Sequence, residues 1–241
     1  MSAGLILVAG GSGKRFQESD EQSASPQRKK QYFLLQNKPV FIHTLEKFID
    51  IAEISEVVIV CPTDDLEYVK SEVENYSGTQ KVMKFVSGGS ERVYSVINGF
   101  QNISENVNLV LIHDAVRPFI EKSTIIESIA QADAHGASIV AVPVTDTLKS
   151  ANDKQIIERT VDRDKLYRAQ TPQTFRKELF AKAVENWKQA GEPRVTDDAM
   201  LAEMLGIPVK IVVGSYSNIK ITTREDILIA ESMLNSQNKP E

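Results

Sequence analysis

The chain has a single cysteine, Cys61, and only three histidines, His43, His113 and His135, among 241 residues. One cysteine excludes an internal disulfide framework, and histidines this scattered argue against a histidine-based metal cluster. No apolar run approaches the ~18 residues of a membrane-crossing helix, and no basic-then-apolar leader is read, so a reducing cytoplasm and no membrane partner are expected. Basic charge is also short. Lys and Arg total 28 against 33 Asp and Glu, a net charge of -5, so there is no global cationic field for a nucleic-acid backbone and no nucleic-acid partner is expected. Any cation that matters must act locally. Cys61 ends the run Val57-Val58-Ile59-Val60 with no histidine near it in sequence, and reads as a small buried thiol rather than a nucleophile. No internal repeat or low-complexity tract is evident.

What is present fits one substantial core: 41% of the residues are hydrophobic and 25% charged. Apolar runs without alternation recur at 5–9, 57–61, 109–112, 138–142 and 209–213, and read as strands. Helical periodicity occupies 40–50, 65–76, 92–102, 124–135, 177–190, 197–205 and 224–235. Thr124 with Glu127 and Thr223 with Asp226 read as N-terminal capping pairs, and Gly136, Gly191 and Gly206 as C-terminal stops. Continuous apolar strands separated by helices predict an α/β fold, a Rossmann-like three-layer sandwich around a mostly parallel sheet. Ligands of such sheets sit at the carboxyl ends of the strands. Two stretches break the rhythm. Residues 17–29 are polar and read as a loop, a possible lid, while 144–170 combine alternation with turn chemistry and read as a projecting hairpin arm. Leu148, Ile156, Ile157 and Val161 would give that arm an apolar face, to be buried on the domain or on a second subunit, so a homodimer is expected. The tail from Asn235 to Glu241 reads as frayed.

The first apolar run, Leu5 to Ala9, empties into Gly10-Gly11-Ser12-Gly13-Lys14-Arg15, with Lys29-Lys30-Gln31 downstream. Backbone N–H groups of such a turn converge on an anion, and the cations add the charge that amides lack. It is not a Walker loop, because Val8 stands where the first glycine belongs and Arg15 where the metal-binding hydroxyl belongs. Nor is it a dinucleotide fingerprint, because Phe16 occupies the third glycine position. A nucleoside triphosphate held by Arg15 and a lysine remains, beside the plain alternative of a glycine-rich surface turn.

The third strand runs into His113-Asp114-Ala115-Val116-Arg117-Pro118. Asp114 there can help hold Mg²⁺ or position a phosphorylated acceptor, and Arg117 can fork onto a phosphate; an Asp–Arg ion pair closing a turn is the plain alternative. His113 reads as a packed neighbour. Gly88-Gly89-Ser90 opens the preceding helix, where backbone groups could approach a flat base, and Ser95 could reach sugar or base or merely cap. Lys220 between two isoleucines reads equally as a solvated strand residue, Asp197-Asp198 as helix-dipole partners, and Met200, Leu201, Met204 and Leu205 as a core stripe.

Together these segments resemble the 2-C-methyl-D-erythritol 4-phosphate cytidylyltransferase family over nearly the whole chain. The resemblance extends in order through Lys30-Gln31-Tyr32, Arg92, Pro143 to Lys149, Thr160 to Arg163, Gln170 to Gln173, Thr196 to Ala199 and Asn218 to Thr222. It implies one nucleotidyltransferase domain over 1–241 with a dimerisation arm at about 144–170, acting on CTP and a polyol phosphate with Mg²⁺ as cofactor. Arg15 and Lys30 then look like the transition-state stabilisers, and Lys220 and Arg163 like the residues that position the acceptor phosphate. Arg163 and Thr147 would come from the arm of the neighbouring subunit, so dimerisation would complete the site. Asp114, Arg117 and Thr196 would line the acceptor pocket, with Asp114 the candidate metal ligand beside substrate phosphates and water. Ala9, Gly10, Gly11, Ser12 and Gly13 would cradle phosphates, Gly89, Ser90 and Ser95 would meet cytosine and ribose, and Thr171 would lie in the nucleotide pocket. The connector between Arg15 and Lys30 is longer than the family's usual one, which leaves Lys29 beside Lys30 as an alternative. The sequence is also similar to the ribitol 5-phosphate cytidylyltransferases, the second reading. A non-catalytic nucleotide-binding dimer and a nicotinamide dehydrogenase stand behind both.

Overall fold

A computed structural model of the chain describes residues 2–10, 29–76 and 81–237. Gly11, Ser12, Gly13 and Arg15, and the polar stretch 17–29 apart from Lys29, lie outside the described residues, as does the end of the tail. The strands are β1 (Ala3–Val8), β2 (Leu34–Leu35), β3 (Lys38–Pro39), β4 (Ile54–Cys61), β5 (Val82–Ser87), β6 (Leu109–Asp114), β7 (Ala137–Pro143), β8 (Leu148–Ala151), β9 (Ile157–Val161), β10 (Tyr167–Arg176) and β11 (Lys210–Val213). The helices are α1 (Val40–Ile49), α2 (Leu66–Tyr76), α3 (Arg92–Gln101), α4 (Lys122–His135), α5 (Lys177–Gln189), α6 (Ala199–Met204) and α7 (Arg224–Gln237).

Seven strands form one sheet in the order β11-β7-β10-β6-β1-β4-β5. All its pairings are parallel except those of β10, which runs antiparallel to both β6 and β7. Because successive side chains of a strand point to opposite faces, β1 feeds two cores at once. Leu5 and Leu7 join α1, α2 and α4 through Phe41, Phe48, Val69 and Ile125. Ile6 and Val8 join α3, α5 and α6 through Val96, Phe180, Trp187 and Leu201. The expected α/β three-layer arrangement is therefore present. A third cluster, Leu35, Val40, Val116, Phe119, Ile221, Ile227 and Ala230, ties α7 to the end of β6.

Most expected elements stand within two residues of their predicted ends, and Cys61 and His113 are buried as read. Gly136, Gly191 and Gly206 follow α4, α5 and α6 with φ of +95°, +81° and +72°. The Thr223 cap is also present: the Thr223 N–H donates to Asp226 Oδ2 at 2.9 Å. Thr124 is not a cap. The helix α4 starts at Lys122, which leaves Thr124 inside it and buried. The tail is helical as far as Gln237 rather than frayed from Asn235. Leu205, assigned to the core stripe, is 37% exposed, because the helix α6 ends at Met204.

Two strands of the main sheet, β5 at its edge and β10 within it, were not expected. The projecting hairpin is shorter than 144–170: β8 and β9 pair only with each other, and Tyr167 to Gln170 already belong to β10 in the main sheet. Ile156 and Ile157 are each 60% exposed on this single chain. Lys220 is not on a strand either; the segment after β11 is irregular and is tied down where the Ile221 N–H donates to the Val116 carbonyl at 2.9 Å.

Candidate active site

The carboxyl ends of β1, β4, β5 and β6 surround a cleft of about 570 Å³. Ala9, Gly10, Lys30, Gly89, Ser90, Ser95, Asp114 and Lys220 all line it, and so do Arg92 and Lys29. A larger hollow of about 870 Å³ lies at the opposite end of the sheet beside Leu109 and Arg176, and holds none of the candidate residues. The smaller cleft is where the fold collects the expected chemistry.

Each wall is built by local bonds. On one side, the 3-10 turn Lys30–Tyr32 is held on both flanks of Lys30. Lys29 Nζ donates to Asp65 Oδ2 at 2.6 Å, Tyr32 Oη donates to the same oxygen at 2.8 Å, and Gln31 Nε2 donates to the Ala9 carbonyl at 2.8 Å. Lys29 is thus tied to Asp65 beside Lys30, both at the cleft. Across from this turn, the loop before α3 folds around Ser95, whose Oγ accepts from the Gly89 N–H at 3.0 Å and donates to the Glu91 carbonyl at 3.2 Å. A side chain at Gly89 would put its Cβ 2.3 Å from that of Tyr94, so only glycine allows this close turn.

The floor is Asp114, a buried carboxylate at the end of β6. Its Oδ2 faces Lys220 Nζ at 2.8 Å and Arg117 Nε at 3.5 Å, and its Oδ1 accepts from Arg92 Nε at 3.1 Å. Burial alone would push this carboxyl up, but the surrounding charges of Arg92, Lys220 and Arg117 hold it well below the usual carboxylate range. It is a fixed negative charge. Arg92 in turn gives both terminal nitrogens to Asp198, at 2.8 Å each. Asp198 therefore does more than favour the start of α6, the role its position suggested.

Arg117 is tucked behind the cleft, with Nη1 donating to the Asn218 carbonyl at 2.8 Å. It is not presented as an open fork. The turn ion pair with Asp114 exists, as the longest of the contacts around that carboxylate.

Beneath the floor, His113 is fully buried and its hydrogen bonds define its tautomer. Nε2 faces the Arg117 carbonyl at 3.3 Å, which can only accept, so Nε2 carries the hydrogen. Nδ1 then accepts from Thr171 Oγ1 at 3.0 Å, and that oxygen accepts from the Asp114 N–H at 3.1 Å. Burial pushes His113 down to about 3. Thr171 is a strut of this floor and does not itself line the cleft. Burial pushes the Cys61 thiol up to about 11, which removes it as a nucleophile.

Besides Arg117 and Thr171, three more expected residues among those described are not brought to this cleft within the chain. Thr147 and Arg163 stand at the base of the hairpin, where Arg163 Nη1 donates to the Thr145 carbonyl. Thr196 is exposed, with Oγ1 4.0 Å from Met200 Sδ. Among the described residues, no group of His, Cys, Asp and Glu could by itself hold a metal ion. No helix among them is long and apolar enough to cross a membrane. Arg92 and Asp198 were missed as a working pair; the sequence signals were an arginine in the first turn after the glycine loop and the acidic pair Asp197-Asp198, each read separately.

Comparison with known proteins shows the family. The family model described as IspD, 2-C-methyl-D-erythritol 4-phosphate cytidylyltransferase, matches residues 3–236. The chain is 42% identical to the 2-C-methyl-D-erythritol 4-phosphate cytidylyltransferase of Alkaliphilus metalliredigens, covering 97% of this chain and 93% of that one. It superposes with a TM-score of 0.83 on the 4-diphosphocytidyl-2C-methyl-D-erythritol synthase of Anaerococcus prevotii, at 33% identity over 97% of this chain and 96% of that one. The 2-C-methyl-D-erythritol 4-phosphate cytidylyltransferase of Francisella tularensis superposes with a TM-score of 0.78 at 30% identity, covering 96% and 99% of the two chains. On sequence, fold and length alike, the chain belongs to the 2-C-methyl-D-erythritol 4-phosphate cytidylyltransferase family, enzymes that transfer a cytidylyl group.

Proposed function

We propose that the cleft at the carboxyl ends of β1, β4, β5 and β6 joins CTP to 2-C-methyl-D-erythritol 4-phosphate. The products are 4-diphosphocytidyl-2-C-methyl-D-erythritol and pyrophosphate. The observation that carries this reading is the meeting of Lys30, Gly89, Ser95, Asp114 and Lys220, from distant parts of the chain, around one cavity.

In this reading cytosine and ribose lie against Gly89, Ser90 and Ser95, and the triphosphate runs past Ala9 and Gly10 toward Lys30 and Arg15. An oxygen of the acceptor phosphate attacks the α-phosphorus, a new P–O bond forms, and the bond to the departing pyrophosphate breaks. The acceptor is already ionised, so no general base is needed, in keeping with a neutral, buried His113 and a protonated Cys61. What the protein supplies is position and positive charge. Lys220 holds the acceptor phosphate, with Asp114 and Arg117 behind it. Thr147, Arg163 and Thr196 are proposed to reach an acceptor pocket completed by a second subunit, which is supported by the exposed hairpin with Ile156 and Ile157 uncovered.

Mg²⁺ is the proposed cofactor. The donor set suits an ion that keeps most of its waters and arrives on the triphosphate, because Asp114 is ionised and at the cleft yet engaged by three cations. Bound there, Mg²⁺ would neutralise charge on phosphate oxygens. A reducing cytoplasm remains the proposed compartment, supported by the lone buried Cys61.

The test is pyrophosphate release with CTP, UTP, ATP or GTP, each offered with methylerythritol phosphate or ribitol 5-phosphate. Release only from CTP with methylerythritol phosphate is expected. Preference for ribitol phosphate, or no acceptor-dependent release at all, would overturn the assignment.

A further inference from the structure

Arg92 opens α3, directly behind the loop that carries Gly89 and Ser90, while Asp198 sits 106 residues away at the start of α6, next to Thr196. Arg92 bridges the carboxylates of Asp198 and Asp114. The guanidinium has five donors in a planar fork, and this site divides them: Nη1 and Nη2 go to Asp198, and Nε goes to Asp114 Oδ1. That division has a consequence for the opposite oxygen. With Arg92 restrained by Asp198, it engages only Oδ1, and Oδ2 stays turned toward Lys220. Were Asp198 uncharged, the freed fork could close on both oxygens of Asp114 and compete with Lys220 for them.

We infer that Arg92 and Asp198 form a positioning pair for the acceptor side of the site, setting the orientation of Asp114 and through it the place of the Lys220 ammonium. Burial lowers the affinity of Arg92 for its proton, but the two carboxylates more than reverse this, so the guanidinium is permanently charged. The carboxylate of Asp198 is 1% exposed, and among the described residues its ion pair is with Arg92. The same turn is anchored independently of Arg92, since Gln173 Oε1 accepts from the Ala199 N–H at 2.7 Å and Gln173 Nε2 donates to Asp197 at 3.1 Å. Losing the pair should therefore disturb Asp114 and Lys220 before it disturbs the fold. The inference rests on the reading of Lys220 as the acceptor-phosphate residue.

Steady-state kinetics with CTP and methylerythritol phosphate would be measured for the full-length wild type, Arg92→Lys and Asp198→Asn, together with thermal midpoints. Both variants should lose ~10-fold to 10²-fold in kcat/KM for methylerythritol phosphate, as expected for a displaced positioning group, while KM for CTP stays within about two-fold of wild type. Arg92→Lys keeps the charge but loses the planar fork that meets Asp198 with two nitrogens while a third reaches Asp114, so its failure to rescue separates positioning from simple charge balance. Wild-type kinetics in either variant would overturn the inference. So would losses shared equally between the two substrates, or failure of both variants to fold, since each assigns the pair a purely structural role. A wild type that releases no pyrophosphate with methylerythritol phosphate would instead refute the substrate reading itself.

Discussion

His113 lies beside the most heavily charged corner of the protein and is itself neutral. An unfolded histidine titrates near 6.5, whereas the folded one does so at about 3, so between those values the unfolded chain binds the extra proton. Stability from this residue is complete above about pH 6.5 and falls as the pH drops toward 3, by up to ~1.4 kcal/mol per pH unit. Urea denaturation across that range should show a shallower slope for His113→Gln than for wild type; equal slopes would place the acid sensitivity elsewhere. Asp114 acts in the same direction, because its folded value is also depressed, but over a more acidic range. Its contribution is present at neutral pH and is lost only in strong acid. Asp114→Asn leaves three cations crowded without their common partner, and should cost about 3 kcal/mol or more in chemical denaturation. Lys30→Ala should reduce turnover by ~10²-fold with little change in thermal midpoint, as expected for a charge stabiliser at the reacting phosphate; unchanged turnover would pass its role to Lys29.

At the scale of elements, α7 matters out of proportion to its distance from the chemistry. Asp226 Oδ2 accepts from the Thr222 and Thr223 N–H groups and from Thr222 Oγ1, so one carboxylate fastens the helix start. Ile227 and Ala230 then pack with Ile221, the residue after Lys220. Asp226→Ala should cost about 1–2 kcal/mol, read as a lower thermal midpoint. An unaltered midpoint would mean that packing alone holds the helix. The capping pair at Thr223 was legible because it is local, and so were the five apolar strand runs. β10 was not legible. Its polar Gln170, Thr171 and Gln173 are buried only because partners from elsewhere satisfy them, among them Asn218, which gives Nδ2 to Gln170 and to the Thr171 carbonyl, and Asp197, which accepts from Gln173. Nothing in a window of neighbouring residues announces that. β5, with Lys84 among its apolar residues, hid its edge position for the same reason. Lys84 is there to meet the buried Glu56 of the adjacent strand, at 3.0 Å. Candidate site residues at strand ends were readable from the fold class; the Arg92 pairing was not, since it spans two elements that meet only in the folded chain.

For the whole molecule, the hairpin is the open question that a simple mixing experiment answers. If the site is shared, Arg163→Ala and Lys220→Ala chains should each be poorly active alone yet recover activity when unfolded and refolded together. About a quarter of wild-type activity is expected, since half of randomly reassorted dimers are mixed and each holds one intact site of two. Mixed dimers without recovery would place both residues in the same chain's site.

β1 separates the two packed layers and also delivers Ala9 and Gly10 to the cleft, which makes it the least editable segment of the protein. Deleting one residue between Ala3 and Val8 would exchange Leu5 and Leu7 with Ile6 and Val8, turning each group toward the helices meant for the other. The same deletion would draw the cleft-facing end back by about 3.3 Å. Length changes belong instead at Asn152 to Gln155, the tip of the exposed hairpin, where neither layer takes notice.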